Sequence, residues 1–190
     1  MLRKIAKFIW GLFANIDWLW RSTGFRRFLW SLIAQKGELR FHEQDGARTD
    51  EEKMVEVAQL FQRYGYGPDD FKGKVIIDIG AGSHLITRYF KESYIIVVEP
   101  LGDKYMKNIA WCKLNQAKEV YSVPAEERVE KVIGRVDFAL CNNVLDHCFD
   151  PQAVVNNMYA YLKPGGTACI ATDCHDHRDP MHQLLLDEET

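Results

Sequence analysis

The fold of this chain is decided by a short stretch that joins an apolar run to a glycine-containing turn. It reads Val75-Ile76-Ile77-Asp78-Ile79-Gly80-Ala81-Gly82-Ser83-His84. The first five residues have the nearly continuous apolar character of a strand that is covered on both faces. Glycine at positions 80 and 82 lets the backbone turn tightly and approach a ligand that a Cβ atom would exclude. The stretch therefore predicts a strand, a ligand-binding turn and then a helix.

Similar apolar runs alternate with helical patterns through the rest of the chain. The predicted strands are Lys74–Ile79, Tyr94–Val98, Glu119–Val123, Val136–Cys141 and Thr167–Thr172. Helices are predicted near residues 84–91, 103–116, 125–133 and 151–162. Strand–helix alternation implies a parallel sheet with right-handed crossovers. The predicted fold class is α/β, a doubly wound parallel sheet behind an N-terminal helical segment.

Charge and aromatic content divide the chain into three segments. Residues 1–40 carry eight Lys and Arg against two acidic residues, a net of +6, whereas residues 41–190 carry −9. The first segment holds four of the five Trp residues and is predicted to be a basic, aromatic, amphipathic helical arm, with helices over 2–20 and Phe25–Gln35. Residues 41–73 form a helical lead-in that contains a helix over Glu51–Tyr64. Residues 74–190 form the α/β domain.

Composition excludes several classes of protein. With 47% hydrophobic and 27% charged residues, the chain is globular and neither disordered nor fibrous. Its net charge of −3 and its acidic body make nucleic acid an unlikely partner. Five Cys residues, an odd number without a C-x-x-C pair, favour a reducing compartment and a cytoplasmic location. No apolar run is long enough to predict a membrane span, and the N-terminus lacks the cleavage site of a signal peptide.

Two carboxylates frame the glycine turn and narrow the choice of ligand. Asp78 precedes the first glycine by two residues, where it would repel a pyrophosphate but suits a ligand with a cationic amine. Glu99 follows the second strand, where a carboxylate can accept hydrogen bonds from both ribose hydroxyls of a nucleoside. Leu85 stands where the dinucleotide fingerprint has its third glycine, so a nicotinamide dehydrogenase is disfavoured.

In this arrangement, residues 70–185 resemble the class I S-adenosylmethionine-dependent methyltransferases of the type-11 family. The similar motifs are Asp78-Ile79-Gly80-Ala81-Gly82, Glu99-Pro100-Leu101, Val123-Pro124-Ala125-Glu126-Glu127, Asp137 to His147, and Leu162-Lys163-Pro164-Gly165-Gly166-Thr167. The resemblance implies a Rossmann-like sheet with strand order 3-2-1-4-5 and S-adenosylmethionine as cofactor. The cofactor-binding residues that it implies are Asp78, Gly80, Ala81, Gly82, Glu99, Pro100, Ala125, Glu126, Asn142 and Asn143.

Two features depart from the family pattern. His84 stands where the family's first motif usually has a third glycine. Only 17 residues follow Asp173, whereas the family normally adds a helix and an antiparallel pair of strands after the fifth strand. Strands six and seven are therefore expected to be missing, which leaves the domain incomplete at its C-terminus.

The resemblance implies methyl transfer from S-adenosylmethionine to a small-molecule or lipid-like acceptor. His147 is the candidate catalytic residue, because a base after the fourth strand could take a proton from the acceptor. The alternative for His147 is a structural role, and the alternative for the whole chain is a non-catalytic cofactor-binding or interaction protein of the same fold. Glu126 could also be a surface acid in the first turn of a helix, and Asn142 and Asn143 could form a plain turn.

The arm and the histidine-rich tail leave further alternatives open. Residues 1–35 could cover the cleft, form a homodimer contact or lie on a membrane surface as a peripheral anchor. Cysteine and histidine recur near the end of the chain, at Cys174, His175, His177 and His182, with Cys141 and Cys148 upstream. Their spacing fits no standard zinc motif, so the sequence predicts no metal site.

Overall fold

A five-stranded parallel sheet organises the chain, whose computed structural model describes residues 17–44, 50–174, 181, 182 and 184. Its strands are β1 (Val75–Ile79), β2 (Tyr94–Val98), β3 (Glu119–Tyr121), β4 (Val136–Asn142) and β5 (Leu162–Ala171). Their order is β3-β2-β1-β4-β5, and every neighbouring pair is parallel. The predicted fold class and strand order are confirmed.

Strand β5 differs most from its prediction. It was expected to begin at Thr167, after a turn, but it begins at Leu162, where the chain leaves the preceding helix in an extended conformation. Leu162 pairs with Val136, and a register shift between Val136 and Phe138 accommodates the extra residues. The segment Leu162–Gly166 is therefore part of the sheet.

Both faces of the sheet are covered, as its continuous apolar strands require. The helices of the described body are α4 (Asp50–Arg63), α5 (Gly102–Asn108) and α6 (Pro151–Tyr161). On one face, Ile77 and Ile96 pack with Val154, Met158 and Tyr161 of α6. The other face carries a second cluster, which contains Val57, Phe61, Ile76, Phe90, Phe138 and Leu140.

Three of the predicted helices are shorter than expected. The helix near 84–91 is a 3₁₀ turn over Ile86–Tyr89, preceded by Leu85 in the left-handed region at φ 49°. The helix near 103–116 ends at Asn108, and a 3₁₀ turn over Leu114–Gln116 follows. The helix near 125–133 is reduced to a 3₁₀ turn over Glu130–Val132.

Contacts with helix α6 explain why residues 125–133 do not form the predicted helix. In an α-helix the amide of residue 129 would donate to the carbonyl of residue 125. Here the Val129 amide donates to the Tyr161 hydroxyl at 2.8 Å, and the Ala125 carbonyl accepts from Asn157 Nδ2 at 3.0 Å. Two side chains of α6 thus take both partners of that helical hydrogen bond.

The described part of the arm is helical and continues beyond residue 40. It consists of α1 (Asp17–Trp20), α2 (Thr23–Leu29), a π-helical segment (Trp30–Ala34) and α3 (Gln35–Gln44). Most of the helix predicted over 2–20 lies outside the described residues, and the one predicted over Phe25–Gln35 extends to Gln44. None of the helices in the described ranges combines the length and apolar character needed to cross a bilayer.

A buried arginine of the arm forms hydrogen bonds that hold the arm against the α/β domain. Arg26 is 9% exposed, and its guanidinium donates to the Phe149 carbonyl at 2.7 Å and to the Trp20 carbonyl. Trp30 packs edge-on against the Phe149 ring, with 5.3 Å between centroids. These contacts direct α3 across the carboxyl ends of the strands.

Candidate active site

One cavity of about 560 Å³ lies at the carboxyl ends of β1, β2 and β4, where open α/β sheets bind their ligands. Its volume is in the range of small-molecule sites. The structure brings His147 and all ten of the predicted cofactor residues to its wall: Asp78, Gly80, Ala81, Gly82, Glu99, Pro100, Ala125, Glu126, Asn142 and Asn143. Residues of α3 and of the described tail, among them Glu38, His42, Met181 and His182, complete the lining.

The glycine turn leaves no room for a side chain at either glycine. Gly80 has φ +67°, and a Cβ atom there would lie 2.4 Å from Val144 Cγ2. Gly82 has φ +58°, and a Cβ atom there would lie 2.7 Å from His42 Cε1. Positive φ and close neighbours both require glycine, so the backbone itself forms this part of the wall.

Glu99 ties the glycine turn to the end of β2. Its Oε2 accepts from the Gly82 amide at 3.0 Å, and its Oε1 accepts from the Leu101 amide at 2.9 Å. Burial raises the pKa of Glu99 to about 7, although both amide hydrogen bonds oppose this shift. Each carboxylate oxygen keeps a second acceptor site. The group can therefore accept two further hydrogen bonds from a vicinal diol such as ribose.

Asp78 is held by a residue that the sequence did not single out. Thr87 donates its hydroxyl to Asp78 Oδ2 at 2.7 Å, and its amide is 3.4 Å from the same atom. Burial raises the pKa of Asp78 to about 7, against the effect of these hydrogen bonds. Thr87 lies on the 3₁₀ turn that replaces the predicted helix, so a sequence analysis based on a regular helix does not find the contact.

Glu126 and the two asparagines line the cavity with their polar groups already in contact with the protein. Glu126 Oε1 accepts from the Phe149 amide at 2.8 Å and the Asp150 amide at 3.3 Å, just before α6, and burial raises its pKa. Asn142 Oδ1 accepts from the Tyr64 hydroxyl at 2.9 Å. The main-chain N–H of Asn143 donates to the main-chain carbonyl of Ala171 at 2.7 Å.

Helix α3 forms a lid across the cavity. His42 Nδ1 and Ser83 Oγ share a hydrogen bond of 2.9 Å, and the His42 ring lies 4.7 Å from that of Tyr105. Glu38, one turn earlier on α3, also lines the cavity. The sequence analysis missed both residues because they fall at the junction between the predicted arm and lead-in. Their spacing of four residues on one helix face was the available signal.

His147 is the centre of a cluster of two carboxylates and two imidazoles. Its Nδ1 lies 3.0 Å from Glu38 Oε1, and its Nε2 lies 3.5 Å from Asp146 Oδ2. His182 Nε2 lies 3.8 Å from the same Asp146 oxygen. Thr172 donates to Asp146 Oδ1 at 3.1 Å. The donor atoms of Asp146, His147 and His182 all lie within 4.8 Å of one another, a set that could hold a metal ion.

The residues of the wall fit S-adenosylmethionine. A vicinal diol matches the acceptor sites of Glu99, a cationic amine matches the buried carboxylate of Asp78, and the glycine turn presents bare backbone to the ligand. The five cysteines have free thiols.

Comparisons with known proteins agree with this interpretation. A family model described as "Methyltransferase domain" matches residues 49–188, about three quarters of the chain. A ubiquinone biosynthesis O-methyltransferase of Caulobacter sp. (strain K31) is 28% identical over 115 residues, which cover 59% of this chain and 46% of that protein. The corresponding protein of Bordetella avium (strain 197N) is 28% identical over 104 residues, 53% of this chain and 43% of that one.

The alignments with these curated relatives thus span less than half of the relatives' length. Among solved structures, a candidate S-adenosyl-L-methionine-dependent methyltransferase of Methanococcus maripaludis shares the fold with a TM-score of 0.53 and 19% identity, over 71% of this chain and 62% of that chain. The family match over most of the chain shows that it belongs to the S-adenosylmethionine-dependent methyltransferase domain family.

Proposed function

We propose that this chain transfers a methyl group from S-adenosylmethionine to a small-molecule or lipid-like acceptor. The observation that carries the proposal is that the glycine turn, two buried carboxylates and His147 line a single cavity. S-adenosylmethionine supplies a methyl group on a sulfonium, whose departure leaves a neutral thioether. The protein therefore has to supply mainly proximity and alignment.

The cofactor-binding roles follow from the wall of the cavity. Glu99 accepts the ribose hydroxyls, Asp78 faces the cationic amine, and the backbone of Gly80, Ala81 and Gly82 lies against the methionine portion. The remaining predicted residues form the adenine side and the neighbouring wall: Pro100, Ala125, Glu126, Asn142 and Asn143. Because Glu126 already accepts hydrogen bonds from the Phe149 and Asp150 amides just before α6, its contribution there is to hold the backbone of the wall in place.

The acceptor side is the part of the cavity beneath α3. His147 is the proposed catalytic residue, since its ring lies between the lid and the end of β4 and can act on the proton of an acceptor hydroxyl or amine. Trp30, Ala34, Phe41 and Met181 add apolar surface to the lining of the cavity. An acceptor with an apolar body and a polar methylated atom suits that combination, and the similarity to O-methyltransferases supports an oxygen atom.

The test is turnover with a panel of phenols that differ in their apolar tails. We expect formation of S-adenosylhomocysteine that requires one of these acceptors and falls strongly in His147→Gln. Cofactor binding without turnover on any hydroxyl, amine or thiol acceptor would favour the alternative, a non-catalytic binding protein of this fold.

The outward face of the arm supports peripheral membrane docking of a cytoplasmic protein. Trp18, Phe28 and Leu32 are 72%, 59% and 48% exposed, and the exposed cations Arg21 and Lys36 belong to the same arm. Exposed aromatic and basic side chains along a helical arm suit the interface of an anionic membrane. A lipid-like acceptor would then reach the cavity beneath α3 from the membrane. Pairing of two arms in a homodimer is the competing outcome.

A further inference from the structure

The cluster around His147 joins three distant parts of the chain. Glu38 comes from α3, Asp146 and His147 follow β4, and His182 comes from the tail. Asp146 is fully buried, and the side chains of His147 and His182 are 19% and 23% exposed. Both histidines line the cavity on its acceptor side.

The donor spacing matches a metal coordination shell. Bonds of about 2.0–2.2 Å from a metal to nitrogen and oxygen ligands place tetrahedral donors about 3.3–3.6 Å apart. Asp146 Oδ2 lies 3.5 Å from His147 Nε2 and 3.8 Å from His182 Nε2. The ligand atoms of all three residues lie within 4.8 Å of one another, so the shell would be completed by movement of the His182 side chain toward the other two.

The charges of the cluster also favour a cation. Two carboxylates and two imidazoles converge, so a divalent cation bound by neutral imidazoles would balance both negative charges. Burial of a carboxylate such as Asp146 is costly unless an opposite charge or hydrogen bonds compensate. Thr172 supplies one hydrogen bond. Lys53 is a cation that lines the same cavity, but its Nζ already pairs with another carboxylate, 3.9 Å away at Glu56 Oε2.

Glu38 lies where the outer carboxylate of a metal-bound histidine would lie. A histidine that binds a metal through one ring nitrogen usually donates its other N–H group to a carboxylate, which fixes the tautomer and ring orientation. Glu38 Oε1 lies 3.0 Å from Nδ1 of His147, while Nε2 faces Asp146, so a rotation of the His147 ring that aligns Nδ1–H with Glu38 would make this hydrogen bond.

We propose that Asp146, His147 and His182 bind one divalent transition-metal ion, with Glu38 orienting His147. Two imidazoles and one carboxylate suit Zn²⁺, Mn²⁺ or Fe²⁺ rather than Mg²⁺ or Ca²⁺, which prefer oxygen ligands. The sequence predicted no metal site because its Cys and His spacing fits no zinc motif. The proposed site uses one histidine of that tail, His182, together with residues that lie far away in sequence.

The proposal deepens the function proposed above and rests on it for the use of the ion. Three protein ligands leave coordination positions open, as in catalytic zinc sites, and both histidines face the cavity. The site therefore favours an acceptor with an oxygen donor, and as a metal ligand His147 would act on that acceptor through the ion, in place of the direct proton transfer proposed above. Metal binding itself does not require methyl transfer, so it can be tested separately.

The experiment is titration calorimetry of the full chain after chelator treatment, with ZnCl₂, MnCl₂ and MgCl₂ as the probes. We expect one equivalent of Zn²⁺ to bind, with Mg²⁺ at least 100-fold weaker. His182→Ala should weaken Zn²⁺ binding by 100-fold or more, and Glu38→Gln by about 10–100-fold, as loss of an outer carboxylate does in other metal sites. The matched control is His177→Ala, a histidine of the same tail outside the proposed ligand set.

The outcomes separate the metal site from the proposed function. Stoichiometric Zn²⁺ binding that is lost in His182→Ala and kept in His177→Ala supports the site. Absence of stoichiometric binding, equal loss in both variants, or no effect of His182→Ala overturns it. S-adenosylmethionine affinity is measured on the same samples. If the chain binds the cofactor but does not bind Zn²⁺, the metal site is refuted and the proposed function is not.

Discussion

The two ends of the cavity are built in different ways. The cofactor end consists of the glycine turn, Asp78 and Glu99, and it depends on backbone amides and buried carboxylates close together on β1 and β2. The acceptor end is assembled across the chain, from Glu38 on the lid helix, His147 after β4 and His182 in the tail. The first end is a short-range pattern that a sequence displays, whereas the second exists only after folding.

The largest expected effect tests whether the acceptor end performs the chemistry. His147→Gln should lower the methyl-transfer rate about 10²–10⁴-fold, the usual range for loss of a catalytic acid–base group, and leave S-adenosylmethionine affinity nearly unchanged. Single-turnover kinetics and calorimetry on the same preparation measure both. If the variant instead loses cofactor affinity or stability, His147 is structural and the two ends of the cavity are not separable.

The cofactor end should make the empty chain sensitive to pH. The folded pKa of Glu99 is about 7, above its ordinary value of 4.5, so between these values the folded state holds a proton that the unfolded state releases. The free energy of unfolding should therefore fall as pH rises through this window, by up to about 3 kcal/mol from Glu99. Asp78 contributes in the same direction.

Denaturant unfolding at pH 5 and pH 8 without cofactor measures this slope. Glu99→Gln should flatten it, because the amide does not titrate, and Glu130→Gln, an exposed carboxylate, should not. A slope unchanged by Glu99→Gln would mean that Glu99 is not the buried titrating group at this end.

A smaller effect is expected in the part of the cavity wall that contains Ala125. Asn157→Ala removes the donor to the buried Ala125 carbonyl and should lower the free energy of unfolding by about 1–3 kcal/mol. Its neighbour Asn156 is exposed and bonds only to Gln152 among the contacts described, so Asn156→Ala should change stability by less than about 0.5 kcal/mol. Equal effects would contradict the account of why residues 125–133 do not form a helix.

The smallest expected effect concerns the outer surface of the arm. Phe28→Ser should weaken sedimentation with anionic vesicles several-fold and leave turnover of a water-soluble acceptor unchanged, because the Phe28 side chain is mostly exposed. Added salt should weaken binding of the unaltered chain. If neither Phe28→Ser nor added salt alters sedimentation with the vesicles, membrane docking is contradicted. A doubled mass in light scattering would favour the homodimer.

The sequence predicted the parts of the fold that depend on local apolar patterns. The bounds of Tyr94–Val98 were exact, and the parallel sheet followed from strand–helix alternation, whereas its strand order came from the resemblance to a family. Helix predictions were wrong where a residue distant in sequence forms the hydrogen bond that the helix would need. The Val129 amide, for example, donates to the Tyr161 hydroxyl instead of to the Ala125 carbonyl. Periodicity within one segment carries no information about such a partner.

The candidate site divides in the same manner. Asp78 and Glu99 could be singled out because each is a carboxylate at the carboxyl end of an apolar strand: Asp78 is the penultimate residue of β1, and Glu99 directly follows β2. Thr87, Glu38 and His42 could not, since each acts through a contact with a residue from another element. The resemblance to a family pointed to motif positions, but the arm and the tail lie outside those motifs.

Titration calorimetry with S-adenosylmethionine tests the central claim most directly. The account predicts that the unaltered chain binds the cofactor and that Glu99→Ala weakens binding by about 1.5–3 kcal/mol, roughly 10–150-fold, through loss of the ribose contacts. Glu130→Ala should bind like the unaltered chain. Equal affinity of folded Glu99→Ala and the unaltered chain, or no binding by the unaltered chain, would contradict the account.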